Sequence, residues 1–234
     1  MYIMKKSMLI VLSVFTMSYA YSQGKTFIAA GYNAANVSTN SNGSVDKARM
    51  LSSFQAGIGG TFGISKVFDI ETGLYLTGKG SKTEAYFSGS TTDNYVKAKF
   101  NPFYLELPLY GNLNFPMEKK NAFFAGAGPY IAMGIFGKTK VETNFLGTTS
   151  TSTSDIKFNN DNPTTSQQED ASFDKVRRFD FGFNFHAGFD LSDVILKVNY
   201  GLGLAKINSN GNNNADNKNK HRVFSVSVAI PLSK

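Results

Sequence analysis

The chain has no cysteine and no tryptophan, only six prolines and only two histidines in 234 residues. Without cysteine there is no disulfide, no thiolate metal site, no cysteine nucleophile and no lipid anchor on an N-terminal cysteine. The two histidines, His186 and His221, are too far apart to suggest a metal cluster. No motif sets a serine near His186 as a hydrolase triad requires, and Asp155, Asp161 and Asp170 lack calcium-loop spacing. Enzymatic activity, a metal and a cofactor are therefore not expected. The formal charge of +7 is spread thinly, with no dense Lys/Arg block to track a phosphate backbone, so nucleic acid is not an expected partner.

A long apolar run is missing as well, except near the start. Lys5 and Lys6 precede an apolar stretch from Met8 to Met17, and small residues follow at Ser18-Tyr19-Ala20 or Ala20-Tyr21-Ser22. This is the pattern of a secretory signal peptide over residues 1–22, cleaved before Tyr21 or Gln23. The stretch is too short to span about 30 Å of hydrocarbon. Its removal takes away two lysines and no acid, lowering the charge from +7 to +5. Residues 23–234 then read as one domain.

What is abundant is phenylalanine (21), tyrosine (11) and glycine (22), arranged with a period of two. Phe179, Phe181, Phe183, Phe185 and Phe189 share one face of a segment whose other face carries Asp180, Gly182, Asn184, His186, Gly188 and Asp190. Residues 52–65, 68–79, 194–206 and 224–232 alternate in the same way. With Lys25–Val37, Ala98–Leu113 and Asn121–Phe136 they make eight expected strands. Short links fall at Ser65-Lys66, Asn114–Lys120 and Ser192-Asp193. The long polar links at 38–48, 79–97, 138–175 and 209–220 read as solvated loops, with Val141–Phe145 a stretch of strand extending past the membrane.

Eight alternating strands suit either a soluble barrel with its apolar face inward or a membrane barrel with that face outward. The polar faces are rich in Gly, Asn, Gln, Asp and Glu and poor in lysine, which suits a crowded lumen. The Phe-rich faces run nine to eleven residues, the length a tilted strand needs to cross a bilayer. The expected fold is all-β: an eight-stranded antiparallel outer-membrane β-barrel, up-and-down, crossing the membrane with both termini periplasmic. In "YLELPLYGNL", Phe103, Leu105, Leu107 and Leu109 then face lipid, while Tyr104, Glu106, Pro108 and Tyr110 face the lumen. Pro108 cannot donate a ladder hydrogen bond, so a bulge or weakened pairing is expected there.

The Tyr-Leu-Glu-x-Pro-Leu element at 104–109 resembles the outer-membrane β-barrel domain family that includes PorT-like proteins of Bacteroidota-type bacteria. "AGAGPYIAM" at 125–133, Phe-Asp-Phe-Gly at 179–182 and "YGLGLAKI" at 200–207 are similar to it too. The resemblance covers the chain from about residue 25 onward. It implies a small single-domain barrel of a Gram-negative outer membrane, with a few relatives serving in protein secretion.

The inward residues Asp69, Glu71, Glu106, Arg178, Asp180, His186 and Lys197 are expected to form a polar network filling the lumen, because eight strands leave room for side chains and little else. Glu71, His186 and Lys197 should share a low layer, Glu106 should lie at mid-height with Asn184 and Asn199, and Arg178 with Asp180 above. Two functions follow. One is a structural or interaction barrel whose outer loops meet lipid, lipopolysaccharide or envelope proteins. The other is an accessory subunit of a secretion or transport complex. The sequence leaves oligomeric state open.

Overall fold

The computed structural model describes residues 24–38, 50–87, 94–118, 121–158, 175–207 and 219–232. The expected signal peptide and most of the links at 38–48 and 209–220 lie outside these residues. Twelve strands are formed: β1 Gly24–Val37, β2 Leu51–Gly63, β3 Phe68–Gly78, β4 Ser81–Tyr86, β5 Tyr95–Pro116, β6 Ala122–Phe145, β7 Thr148–Asp155, β8 Lys157–Phe158, β9 Lys175–Val176, β10 Phe179–Asp190, β11 Ile195–Gly203 and β12 His221–Pro231.

Eight of them close into an antiparallel barrel in the order β5-β3-β2-β1-β12-β11-β10-β6, with β6 returning to β5. Closure leaves the ring no unpaired edge. Period two sets the two walls. On β10 the five phenylalanines are exposed, whereas Asp180, Asn184 and His186 are buried inside. The outer wall carries two aromatic clusters. Phe115, Phe123 and Phe189 touch at one end, and Phe54, Phe103 and Phe136 at the other, with Phe103 centred 5.0 Å from each neighbour.

The short turns at 64–67, 117–121 and 191–194 all lie at one end, termed lower here. The upper end is longer than the sequence suggests. The links at 79–97 and 138–175 are not wholly loop. β4 continues the register of β3 along β5, and β7 pairs with the upper part of β6. Two physical reasons apply. The Ser/Thr run of β7 favours extended backbone. The overshooting halves of β5 and β6 present ladder groups that need partners. A four-stranded sheet, β4-β5-β6-β7, thus rises from one side of the barrel.

Both ladders of β5 lapse around Pro108. Pairing to β3 is missing between Thr72↔Leu109 and Tyr75↔Glu106, and pairing to β6 between Pro108↔Tyr130 and Gly111↔Ala127. The register is the same on both sides of the lapse, so pairing is weakened without a bulge. The Thr72 hydroxyl donates to the Pro108 carbonyl at 2.8 Å. The register shift lies elsewhere: Phe103 faces Phe136 while Tyr104 faces Gly134, leaving Ile135 as an extra residue in β6. Ile135 and Phe136 both point outward.

Candidate functional site: the barrel interior

Alternation along β3, β5, β10 and β11 delivers polar side chains to the axis at three heights. In the lower layer, Lys197 of β11 forms a salt bridge with Glu71 of β3. Asn112 of β5 donates to Asp69 at 2.9 Å, and Asn114 also donates to Asp69. His186 Nε2 lies 2.7 Å from the Asn112 amide oxygen; an oxygen that can only accept requires the ring proton on Nε2. Tyr110 stacks on the imidazole at 4.1 Å and Phe124 meets it edge-on at 5.5 Å.

At mid-height, Asn184 donates to Glu106 at 3.0 Å and to the Tyr110 hydroxyl at 3.1 Å. Tyr110 in turn reaches Asn199 at 3.4 Å. The upper layer is built on Lys79. This side chain is 2% exposed, and its ammonium lies 2.8 Å from both Asp180 and Glu106. The Tyr130 hydroxyl donates to the same Asp180 oxygen at 3.0 Å, and the ammonium sits 4.2 Å from the Tyr130 ring centre. A buried ammonium is tolerated only with such partners. Gly80, at φ +131°, directly follows it. A Cβ there would come within 1.9 Å of the Phe100 carbonyl, so glycine permits the kink between β3 and β4.

Above this layer Tyr104 meets His221 and Phe158 edge-on. Ile156, Val176 and Ile207, with Val37, Phe100 and Phe158 packed against them, form an apolar cluster over the mouth. A cavity of about 30 Å³ lies among Glu71, Tyr75, Thr77, Glu106, Lys197 and Asn199, room for one or two waters.

Six of the seven sequence-predicted residues face the interior: Asp69, Glu71, His186 and Lys197 low, Glu106 in the middle and Asp180 high. Arg178 does not. It is exposed, its guanidinium donates to the Phe158 carbonyl at 3.3 Å, and its own carbonyl accepts from Gly134. Strand β10 begins only at Phe179, so the inward parity of Asp180 does not extend back two residues. Asp180 is neutralised by Lys79 instead. His221 opens β12 and is buried. Lys79 stands at the junction of the alternating segment 68–79 and the polar link 79–97, and it shares the odd parity of Asp69, Glu71 and Thr77, which carries it inside.

Among the described residues no three His, Asp or Glu side chains converge as a metal site. The chemistry available inside is ion pairing and hydrogen bonding between strands. It ties opposite walls together and fills the axis.

The outer membrane protein beta-barrel domain matches residues 26–209 of the chain. No curated protein matches it at significance. Among solved structures, the attachment invasion locus protein Ail of Yersinia pestis is similar at 11% identity, over 89% of this chain and 99% of that one, with a TM-score of 0.38. Neisserial surface protein A gives 12% identity, coverages of 89% and 97%, and 0.38. An outer membrane channel of Pseudomonas putida F1 gives 10%, coverages of 91% and 97%, and 0.28.

Proposed function

The chain belongs to the outer membrane protein β-barrel domain family, and from this premise we propose that it is a non-enzymatic interaction protein of a Gram-negative outer membrane. It is exported by a signal peptide over residues 1–22, and residues 23–234 form a single domain. It crosses the bilayer with its aromatic outer wall, its upper end extracellular and its short turns periplasmic. Its partners are outer-leaflet lipid, including lipopolysaccharide, and envelope proteins met by the upper segments. The kinship with PorT-like proteins of Bacteroidota-type bacteria rests on the elements at 104–109, 125–133, 179–182 and 200–207.

One observation carries this reading. Lys79, Glu106 and Asp180 are locked across the axis under an apolar lid. With solute passage blocked, the surface that varies most from a bare barrel is the β4–β7 sheet. Affinity isolation from native membranes tests it. A variant with 82–99 and 139–154 replaced by tight turns should lose the envelope partners that the full chain retains. Partners that persist in this variant, and that depend on the lower turns instead, would refute the reading in favour of an accessory secretion subunit.

A further inference from the structure

Four lysines distant in sequence meet on the outer face of the β4–β7 sheet. The register sets Lys82 opposite Lys99, Lys99 opposite Lys140, and Lys140 opposite Thr153. One outward row lower, Asn101 faces Lys138, which faces Asp155. One more row down comes Phe103 against Phe136 in the upper aromatic cluster. All four lysines share the outward parity of those phenylalanines. Lys99 and Lys138 are exposed, and the Lys140 and Lys82 side chains are 49% and 32% exposed.

Like charges directly opposed across strands are unfavourable, and the neighbouring acids answer them only in part. Glu84 pairs with Lys82 at 2.8 Å, while Glu142 lies 4.0 Å from Lys140 and accepts from the Tyr95 hydroxyl at 2.9 Å. Lys97, in the row above, sits over the Tyr95 ring at 4.2 Å. Among the described residues no carboxylate pairs with Lys99 at the centre of the row. An anion from outside would relieve the repulsion.

Height selects the anion. Lys99 is four residues above Phe103, about 13 Å along the strand, or about 10 Å along the axis at a tilt of roughly 40°. Lys138 is about half as high. The headgroup layer beyond the hydrocarbon is about 5–7 Å thick, and lysine stems bend toward it. The four ammonium groups therefore bracket the level of lipid phosphates, directly above rings suited to acyl chains.

We propose that Lys82, Lys99, Lys138 and Lys140 bind the phosphate groups of an outer-leaflet phosphorylated glycolipid, with its acyl chains against the exposed Phe54 and Phe136, which flank the buried Phe103. This rests on the membrane-spanning reading and adds to it a defined lipid site.

The test titrates the full mature barrel in nonionic detergent with bisphosphorylated and phosphate-free lipid A, followed by native mass spectrometry. Wild type should prefer the phosphorylated form. The triple variant Lys82→Gln, Lys99→Gln, Lys140→Gln should lose roughly 100-fold in affinity for it, about five-fold per lysine near an anionic surface. Its affinity for the phosphate-free lipid should stay unchanged, which also reports a folded wall. Lys99→Gln alone should lose about five-fold. Equal wild-type binding of both lipids, or an undiminished preference in the variants, would overturn the site. So would complete displacement by millimolar inorganic phosphate, which would mark a free-anion site. Envelope partners retained by the triple variant would leave the interaction reading standing if the lipid site failed.

Discussion

Lys79 and Asp180 are 101 positions apart in the chain and 2.8 Å apart inside the barrel. Glu106 takes the same ammonium from β5, so a single cation joins the top of β3 to two other strands. This contact crosses the axis and ties the three strands together.

Lys79→Met should lower the stability of the folded barrel by about 3–5 kcal/mol, because it leaves two buried carboxylates without their counter-charge. Urea titration in phospholipid vesicles measures it. Adding Glu106→Gln and Asp180→Asn should recover part of the loss, and Arg178→Ala should change stability by less than about 0.5 kcal/mol.

Phe183→Arg should cost about 2–4 kcal/mol of insertion stability, since Phe183 projects outward between the two aromatic clusters. A variant that folds into vesicles as well as wild type would mean that this wall does not face hydrocarbon.

Gly126 lies against the lower layer, where a Cβ would come within 2.0 Å of the Asn112 amide oxygen and 2.7 Å of His186 Nε2. Gly126→Ala should therefore break the Asn112–His186 hydrogen bond and destabilise by about 1–3 kcal/mol, as overpacking does. A pair of urea transitions with equal midpoints would contradict the tight lower layer.

Planar-bilayer recordings of the refolded wild type should show no steady conductance, because each layer of the interior is bridged by side chains. Glu106→Ala should reduce stability before it opens a path. Reproducible wild-type channels would refute the blocked axis.

Mass spectrometry of protein extracted from outer membranes should find a mature start at Tyr21 or Gln23. Retention of Met1 would exclude the signal peptide.

The eight ring strands were legible because burial on one face imposes period two, and phenylalanine on β10 makes that period plain. The low and middle layers followed from counting along the same parity. Parity fails where the chain leaves the ideal ladder. Arg178 lies just before β10 starts, and Lys79 lies just past the end of β3, next to a glycine kink. The lysine row could not be read at all, since its members come from three strands and meet only through register. The Ser/Thr run of β7 looks like linker, because nothing in its own composition reveals that β6 offers it a partner.

The extra residue at Ile135 acts as a phase correction within β6. Below it Ala127, Pro129, Ile131 and Met133 point outward; above it Phe136, Lys138 and Lys140 do. Odd numbers hand over to even ones at the level where β10 gives way to β7 as neighbour. The strand thus carries one spare position. Removing Ile135 would straighten the ladder and leave every other side chain on its present side. Removing a residue from the interior of β10, which has no spare, would turn phenylalanines into the axis or acids into the wall. Within the described ring strands, tolerance of a one-residue deletion should accordingly centre on Ile135, and gel-shift assays of folding across a deletion series in β6 and β10 would locate it.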